Sequence, residues 1–320
     1  MPKRDKKILV IGATGQIGSG LTVALRERYG PENVVAAWFW PRPGKVLRNG
    51  PHERLDVNDK MRISRILDRY EVDTIYHLAA ILSAVGEKDP EKAWQVNMGG
   101  LNSVLQVAQS HDGMRVFWPS SVGVFGAHVP RVKTPQVVPL LPTTMYGVTK
   151  VAGELLCDYY HRHYGLDVRC LRYPGIISSE TLPGGGTTDY AVEIFYDAIK
   201  RGSYSCFLRA DSTLPMMYMP DCIKASMDIM SAPASSVRIR TGYNVAGMSF
   251  SPAELVEEIR THIPDFRCVY RPDYRQQIAD SWPKSVDDSE ARKDWGWKPE
   301  CDLASMTEDM ITRLRVRLGS

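Results

Sequence analysis

Clustered cysteine is missing from this chain. Its six cysteines, Cys157, Cys170, Cys206, Cys222, Cys268 and Cys301, are scattered, with no C-x-x-C pair and no local His/Cys cluster. That argues against a zinc site and a disulfide framework, and for a reducing compartment. A dominant charge is missing too. The 320 residues carry 40 Lys and Arg against 37 Asp and Glu, so no nucleic-acid partner is expected. The one basic cluster, Pro2–Lys7, reads as a solvated terminus. No run approaches the roughly 18 apolar residues of a membrane span, so no membrane partner is expected. No apolar leader core follows Met1, and neither an internal repeat nor a low-complexity linker is found.

What the chain does have is alternation. Ile8–Ile11 is a short apolar run, followed by a glycine-rich turn. Ile17, Leu21, Ala24, Leu25 and Tyr29 then recur at helical spacing, with Gly30 placed to end the helix. The beat repeats. Strands are expected at Asn33–Ala37, His52–Val57, Asp73–Ala80, Met114–Ser121 and Asp167–Pro174. Helices are expected around Ile63–Tyr70, over Ala93–Gln109 and over Tyr146–Tyr164. Such alternation implies an α/β fold, a doubly wound parallel sheet of Rossmann type. Beyond Pro174 the pattern loosens into apolar segments around Ala191–Ile199, Cys222–Met230 and Leu255–Ile263. We therefore expect a dinucleotide-binding domain over 1–173 and a smaller, mainly substrate-binding region over 174–320, with 241–247 returning a strand to the main sheet.

Two constellations carry chemistry. Gly12, Gly15 and Gly18 stand between a strand and a helix, where glycine permits positive φ, close approach to a pyrophosphate and tight helix packing. The helix start adds free N–H groups. Tyr146 and Lys150 are four apart on an expected helix, so they share a face. A cation beside the phenol favours phenolate and makes Tyr146 a candidate general base. Ser120 and Ser121 end the preceding strand, at the carboxyl edge where ligands bind such sheets.

The segments GATGQIG, HLAA, SSVGVFG, YGVTK and RYPG together resemble the extended short-chain dehydrogenase/reductase family, which includes nucleotide-sugar epimerases. Within it, ILSAVGE, LRYPGIIS, PGGGTTDYA, LPMMYMPDC, YNVAGMSFSPAEL, SWP and DDSEARKDWGW are similar to the short-chain-type L-threonine 3-dehydrogenases. That resemblance implies NAD-dependent, zinc-free oxidation of L-threonine to 2-amino-3-oxobutanoate. It implies a small amino-acid substrate and a homodimer, in mitochondria or in bacterial cytoplasm. By position, it makes Tyr146 the base, Lys150 its electrostatic partner and a ribose ligand, and Ser121 the active-site serine. It adds Gln16, Ile17, Val57, Leu78, Ala79, Ala80, Tyr173 and Ile176 to the implied cofactor contacts. Asp56 falls at the adenine, or caps the next helix. Asn97 is a proton relay, or a bend residue satisfying backbone groups. Ser83, Thr188 and Trp282 are substrate-pocket candidates. The Pro183–Ala191 stretch lacks the Lys-Ser/Thr ending of a P-loop and reads as a loop closing over substrate, or as a plain exposed loop.

One expected feature is absent. No Asp or Glu lies between Asn33 and Gly50, where the family resemblance places a ribose-binding carboxylate near Phe39. Phe39 and Trp40 pack against the adenosine, or they cover the sheet edge or an interface. NAD remains the expected cofactor, with NADP left open by the missing acid and by nearby Arg42 and Lys45. Two rival readings stand: an NDP-sugar epimerase or dehydratase, whose long ligand could use Arg201, Arg209, Arg238 and Arg240, and a non-catalytic dinucleotide-binding interaction protein.

Overall fold

The computed structural model describes residues 6–44, 46–182, 184 and 186–319. Lys45, Pro183, Gly185 and most of the basic opening segment, Pro2–Asp5, lie outside the described residues. The first half runs β1 (Ile8–Ile11), α1 (Gln16–Tyr29), β2 (Val34–Trp38), β3 (His52–Arg54), α2 (Lys60–Tyr70) and β4 (Thr74–His77). It continues through α3 (Ser83–Gly86), α4 (Pro90–Trp94), α5 (Gly100–Gln109), β5 (Arg115–Ser121), α6 (Met145–Tyr164) and β6 (Asp167–Tyr173). The second half follows as β7 (Gly175–Ile177), α7 (Tyr190–Arg201), β8 (Ser203–Cys206), β9 (Leu214–Tyr218), α8 (Met219–Ser231), β10 (Tyr243–Asn244) and β11 (Met248–Phe250). Last come α9 (Pro252–His262), β12 (Arg267–Tyr270), α10 (Arg275–Asp280), α11 (Ser289–Trp295) and α12 (Leu303–Leu318).

Seven strands form one parallel sheet in the order β10-β6-β5-β4-β1-β2-β3. Helices cover both faces, as apolar runs such as Ile8–Ile11 require, because a strand buried on both sides cannot alternate with polar residues. Leu9, Ile11, Val35 and Ala37 pack in one core with Ile63, Leu101 and Cys157. Ile8, Val10, Val34 and Ala36 pack in the other with Leu21, Leu25 and Cys222. The residues after Tyr173 add a third core, a three-stranded sheet β11-β9-β7 and a parallel β12–β8 pair. Short β10, paired with Leu171 and Arg172, ties that half to the edge of the main sheet.

Three local expectations need correction. The helix expected over Ala93–Gln109 is interrupted by a π-helical turn, Gln95–Gly99, centred on Asn97. A π turn places an extra residue in the coil, and Asn97 uses that offset to reach the neighbouring loop. The third strand stops at Arg54 rather than Val57. Asp56 does not cap α2. That role falls to Asp59, whose carboxylate accepts the Arg62 N–H, while Asp56 accepts from Asn58 in the turn before it.

Helix α6 is held tightly to β5. A Cβ on Gly153 would fall 2.3 Å from Cη2 of Trp118, a rigid, buried ring. Lys150 lies over the other side of this contact, its ammonium 4.4 Å from the Trp118 ring centre. Gly153→Ala should therefore push α6 off the sheet and lower unfolding free energy by about 1–3 kcal/mol, the usual range for overpacking a core. Denaturant titration checks this; an unchanged midpoint would show that α6 has slack at Gly153.

Candidate active site

The glycine turn forms as its residue types demand. Gly12 has φ +85°, and a Cβ there would sit 2.8 Å from the Ala79 nitrogen. A Cβ on Gly18 would sit 2.1 Å from the Gly12 carbonyl oxygen. Gly12 and Ala13 both donate to Ala37 O at 3.0 Å, which locks the turn to the end of β2. Helix α1 then starts at Gln16 with no side-chain cap and no acidic residue in its first turn. Its leading N–H groups are left for a ligand, and a helix N-terminus favours an anion. The turn thus fits a dinucleotide pyrophosphate.

Beside it lies a cleft lined by Gln16, Ile17, Leu78, Ala80, Ser83, Ser121, Tyr146, Lys150, Tyr173, Ile176, Thr188 and Trp282. Twelve of the sequence-predicted residues are thereby brought together. Gln16 donates to Ile176 O at 3.2 Å, bridging α1 and β7. The Tyr173 hydroxyl donates to Cys222 O and bonds Ser226, so its polar end points into α8 and only its ring is left for the cleft. The far wall carries residues that sequence reasoning passed over. Thr187, buried, bonds Ser83 at 3.3 Å, and Gly186 N donates to Asp189 at 2.7 Å. This packs residues 186–191 over the cleft, while Gly184 is exposed.

Five candidates sit elsewhere. Phe39, Trp40 and Asp56 are exposed beyond the glycine turn. Val57 is buried and would meet any Cβ on Gly100 at 2.6 Å, so it packs α5. Asn97 does not line the cleft. Its amide accepts from Ile81 N at 2.8 Å and donates to Ile81 O and to Thr149 at 3.1 Å each. It satisfies backbone after all, but that of the β4 loop rather than of its own helix.

Ser121 closes β5 and accepts from Gly123 N at 3.1 Å. Tyr146 enters one residue into α6, whose N-cap Thr144 accepts from Gly147 N. A hydrogen bond from Ser121 favours the phenolate, yet burial outweighs it and holds the Tyr146 pKa above its usual value. The expected depression by Lys150 is absent. Its ammonium donates to Pro119 O at 2.6 Å and lies 5.5 Å from the Tyr146 ring centre. Burial lowers the Lys150 pKa to about 8, opposed in part by Cys170, Cys157 and Glu154. His77, at the end of β4, is fully enclosed with neither ring nitrogen partnered among the described residues. Burial, then the Lys150 charge, lowers its pKa to about 3, so it stays neutral.

A further residue that sequence reasoning missed is Glu154. It continues the Tyr146, Lys150 spacing by another four, and that was the available signal. Glu154 is 1% exposed and accepts from Ser120 at 2.5 Å. Arg172 grips both its oxygens at 2.8 Å and also donates to Gln136 O and Asn244. The neighbour of Ser121, the helix that carries Tyr146 and Lys150, and the returning strand β10 therefore meet in one buried ion pair.

Comparison with known proteins agrees with this geometry. Residues 8–246 match the family described as NAD dependent epimerase/dehydratase. The mitochondrial L-threonine 3-dehydrogenase of Bos taurus is 47% identical over 308 residues, covering 96% of this chain and 82% of that protein. The L-threonine dehydrogenase of Clostridium difficile superposes with a TM-score of 0.95 at 48% identity, over 98% of this chain and 99% of that one. A monomeric L-threonine 3-dehydrogenase from a metagenome gives 0.94 at 49% identity, over 98% and 100%. With a glycine turn, a Ser-Tyr-Lys face and a family match across most of its length, the chain belongs to the NAD dependent epimerase/dehydratase family.

Proposed function

We propose that this protein oxidises L-threonine at its β-carbon to 2-amino-3-oxobutanoate, using a nicotinamide dinucleotide. The observation that carries the reading is the cleft that brings Ser83, Thr187 and Trp282 together with Ser121 and Tyr146. The four arginines that a sugar nucleotide might have used are already committed: Arg201 to Asp197, Arg209 to Asp280, Arg238 to Asp294 and Arg240 to Asp167.

In this mechanism the glycine turn and the α1 N-terminus hold the pyrophosphate, with Lys150 on the ribose and Leu78, Ala80, Tyr173 and Ile176 flanking the remainder. The bound dinucleotide supplies the hydride acceptor and, when oxidised, a positive charge. Ser121 orients the threonine hydroxyl through a hydrogen bond. Tyr146, as phenolate, takes the hydroxyl proton while the C–H electron pair leaves the β-carbon as hydride. Thr188, Ser83 and Trp282 exclude water and fix the amino acid.

Protonation of the pair sets the pH dependence. Tyr146 is held up by burial and Lys150 is lowered to about 8. Neutral Tyr with neutral Lys, and phenolate with ammonium, carry the same proton count, so one macroscopic step belongs to both. Losing that proton opens the reactive form, so activity rises with pH.

A homodimer is part of the same proposal. Helix α6 exposes Val148, Leu155 and Tyr159, seven and then four residues apart on one face. A second copy packed there would clamp the helix that carries Tyr146 and Lys150.

Three outcomes follow. Purified, folded Tyr146→Phe should lose about 100-fold or more in kcat with L-threonine, read as dinucleotide reduction; near wild-type turnover would remove Tyr146 from the chemistry. kcat/KM should climb between about pH 6 and about 10, with its rise near 8; a flat or falling profile contradicts the pair. Light scattering should give twice the chain mass, and Leu155→Asp should halve it; a wild-type monomer would sink the dimer.

A further inference from the structure

The segment that family resemblance left unexplained, Asn33–Gly44, lies against the glycine turn. Besides the two bonds to Ala37 O, the Thr14 hydroxyl donates to Trp40 O at 3.5 Å. Residues 38–40 therefore border the adenosine-ribose end of the proposed dinucleotide site. An NAD-selective site places a carboxylate there, because both ribose hydroxyls must donate to something. No such carboxylate stands on residues 38–40 or beside them in β2 among the described residues. Trp38 buries its indole nitrogen within the protein, without a partner among the described residues. Phe39 is 55% exposed and has no polar atom on its ring.

What stands there instead is a cation. Arg54, beside Trp38 in the β2–β3 register, lies over the Phe39 ring, 5.6 Å from guanidinium carbon to ring centre. It forms no ion pair among the described residues, and neither does exposed Arg42. Glu53 is occupied on both oxygens, and Asp56 on one. Glu53 turns to the opposite side, bonded to Arg62 at 2.6 Å, Arg69 at 3.3 Å and Tyr70 at 3.0 Å. Asp56 accepts from Asn58 N and from the Asn58 side chain, at 3.0 and 3.3 Å.

A guanidinium has donors and no acceptor, so it cannot satisfy a ribose diol, whereas its planar fork matches phosphate oxygens. Stacking on Phe39 limits its rotation and presents the fork at the edge of the site. We propose that the adenosine-ribose end takes a 2′-phosphate on Arg54, so that NADP serves this enzyme at least as well as NAD. This rests on the dinucleotide reading of the site. Phe39 and Arg54 are then its specificity-determining residues.

The test is calorimetric titration of the full chain with adenosine 2′,5′-bisphosphate and with 5′-AMP, which differ only in the 2′-phosphate. The bisphosphate should bind roughly tenfold or more tightly than 5′-AMP, with an advantage that shrinks as salt rises. Arg54→Met should erase most of that ratio, and Phe39→Asp should invert it; a loss of fold would weaken both ligands alike and leave the ratio. Steady-state kinetics with L-threonine should give a kcat/KM for NADP no lower than for NAD. If 5′-AMP binds and the bisphosphate binds no tighter, the inference fails while the dinucleotide reading stands. If neither ligand binds, both fall.

Discussion

The ion pair between Glu154 and Arg172 is the contact on which the site depends. Both groups are almost fully enclosed, and a buried charge is tolerated only when its partners are complete. Completion here is extensive. Glu154 is met by Ser120 and by two nitrogens of Arg172, which also holds Gln136 and Asn244. Those partners come from the end of β5, from β6, from the segment before α6 and from returning strand β10. The pair thus joins the second half of the chain to the edge of the dinucleotide-binding sheet. It also puts a negative charge one helical turn from Lys150. Burial lowers the Lys150 pKa, and Glu154, after Cys170 and Cys157, opposes that lowering.

Much of the site was legible because its signals are local. A glycine turn, a Tyr and a Lys four apart, and a serine at a strand end each depend on neighbours in sequence. Sheet topology followed from alternation for the same reason. What was not legible depends on distant partners. Glu154 looks like any helical glutamate until Arg172, 18 residues on, folds against it. Asn97 could have bent its own helix; only the approach of Ile81 shows why the coil widens there. The expected depression of the Tyr146 pKa failed on a direction. Sharing a helix face brings Lys150 near the ring, but the Pro119 carbonyl, from another strand, takes its proton donor.

The cleft and the exposed segment beyond the glycine turn are built differently. At the Tyr146 end, Ser121, Tyr146, Lys150 and Glu154 are buried, and their neighbours leave little room for substitution. The adenosine end is exposed, and Phe39, Trp40 and Arg54 make few bonds that the fold requires. Stability therefore constrains the first set, while the second can change with the ligand it meets. Aromatic residues where relatives are expected to hold an acid are compatible with an unchanged reaction and an altered cofactor preference.

The direct test of the charge arrangement is the pH profile of Glu154→Gln, which keeps size and removes the charge. With the anion gone and Arg172 left unbalanced, the Tyr146/Lys150 pair should release its proton earlier. The rising limb of kcat/KM with L-threonine should move to lower pH by about half a unit or more. The doubly neutral Glu154→Gln/Arg172→Met protein, measured alongside, separates charge from lost stability. A rising limb unmoved in folded Glu154→Gln would contradict the claim that the Glu154 charge acts on the proposed Tyr146/Lys150 pair.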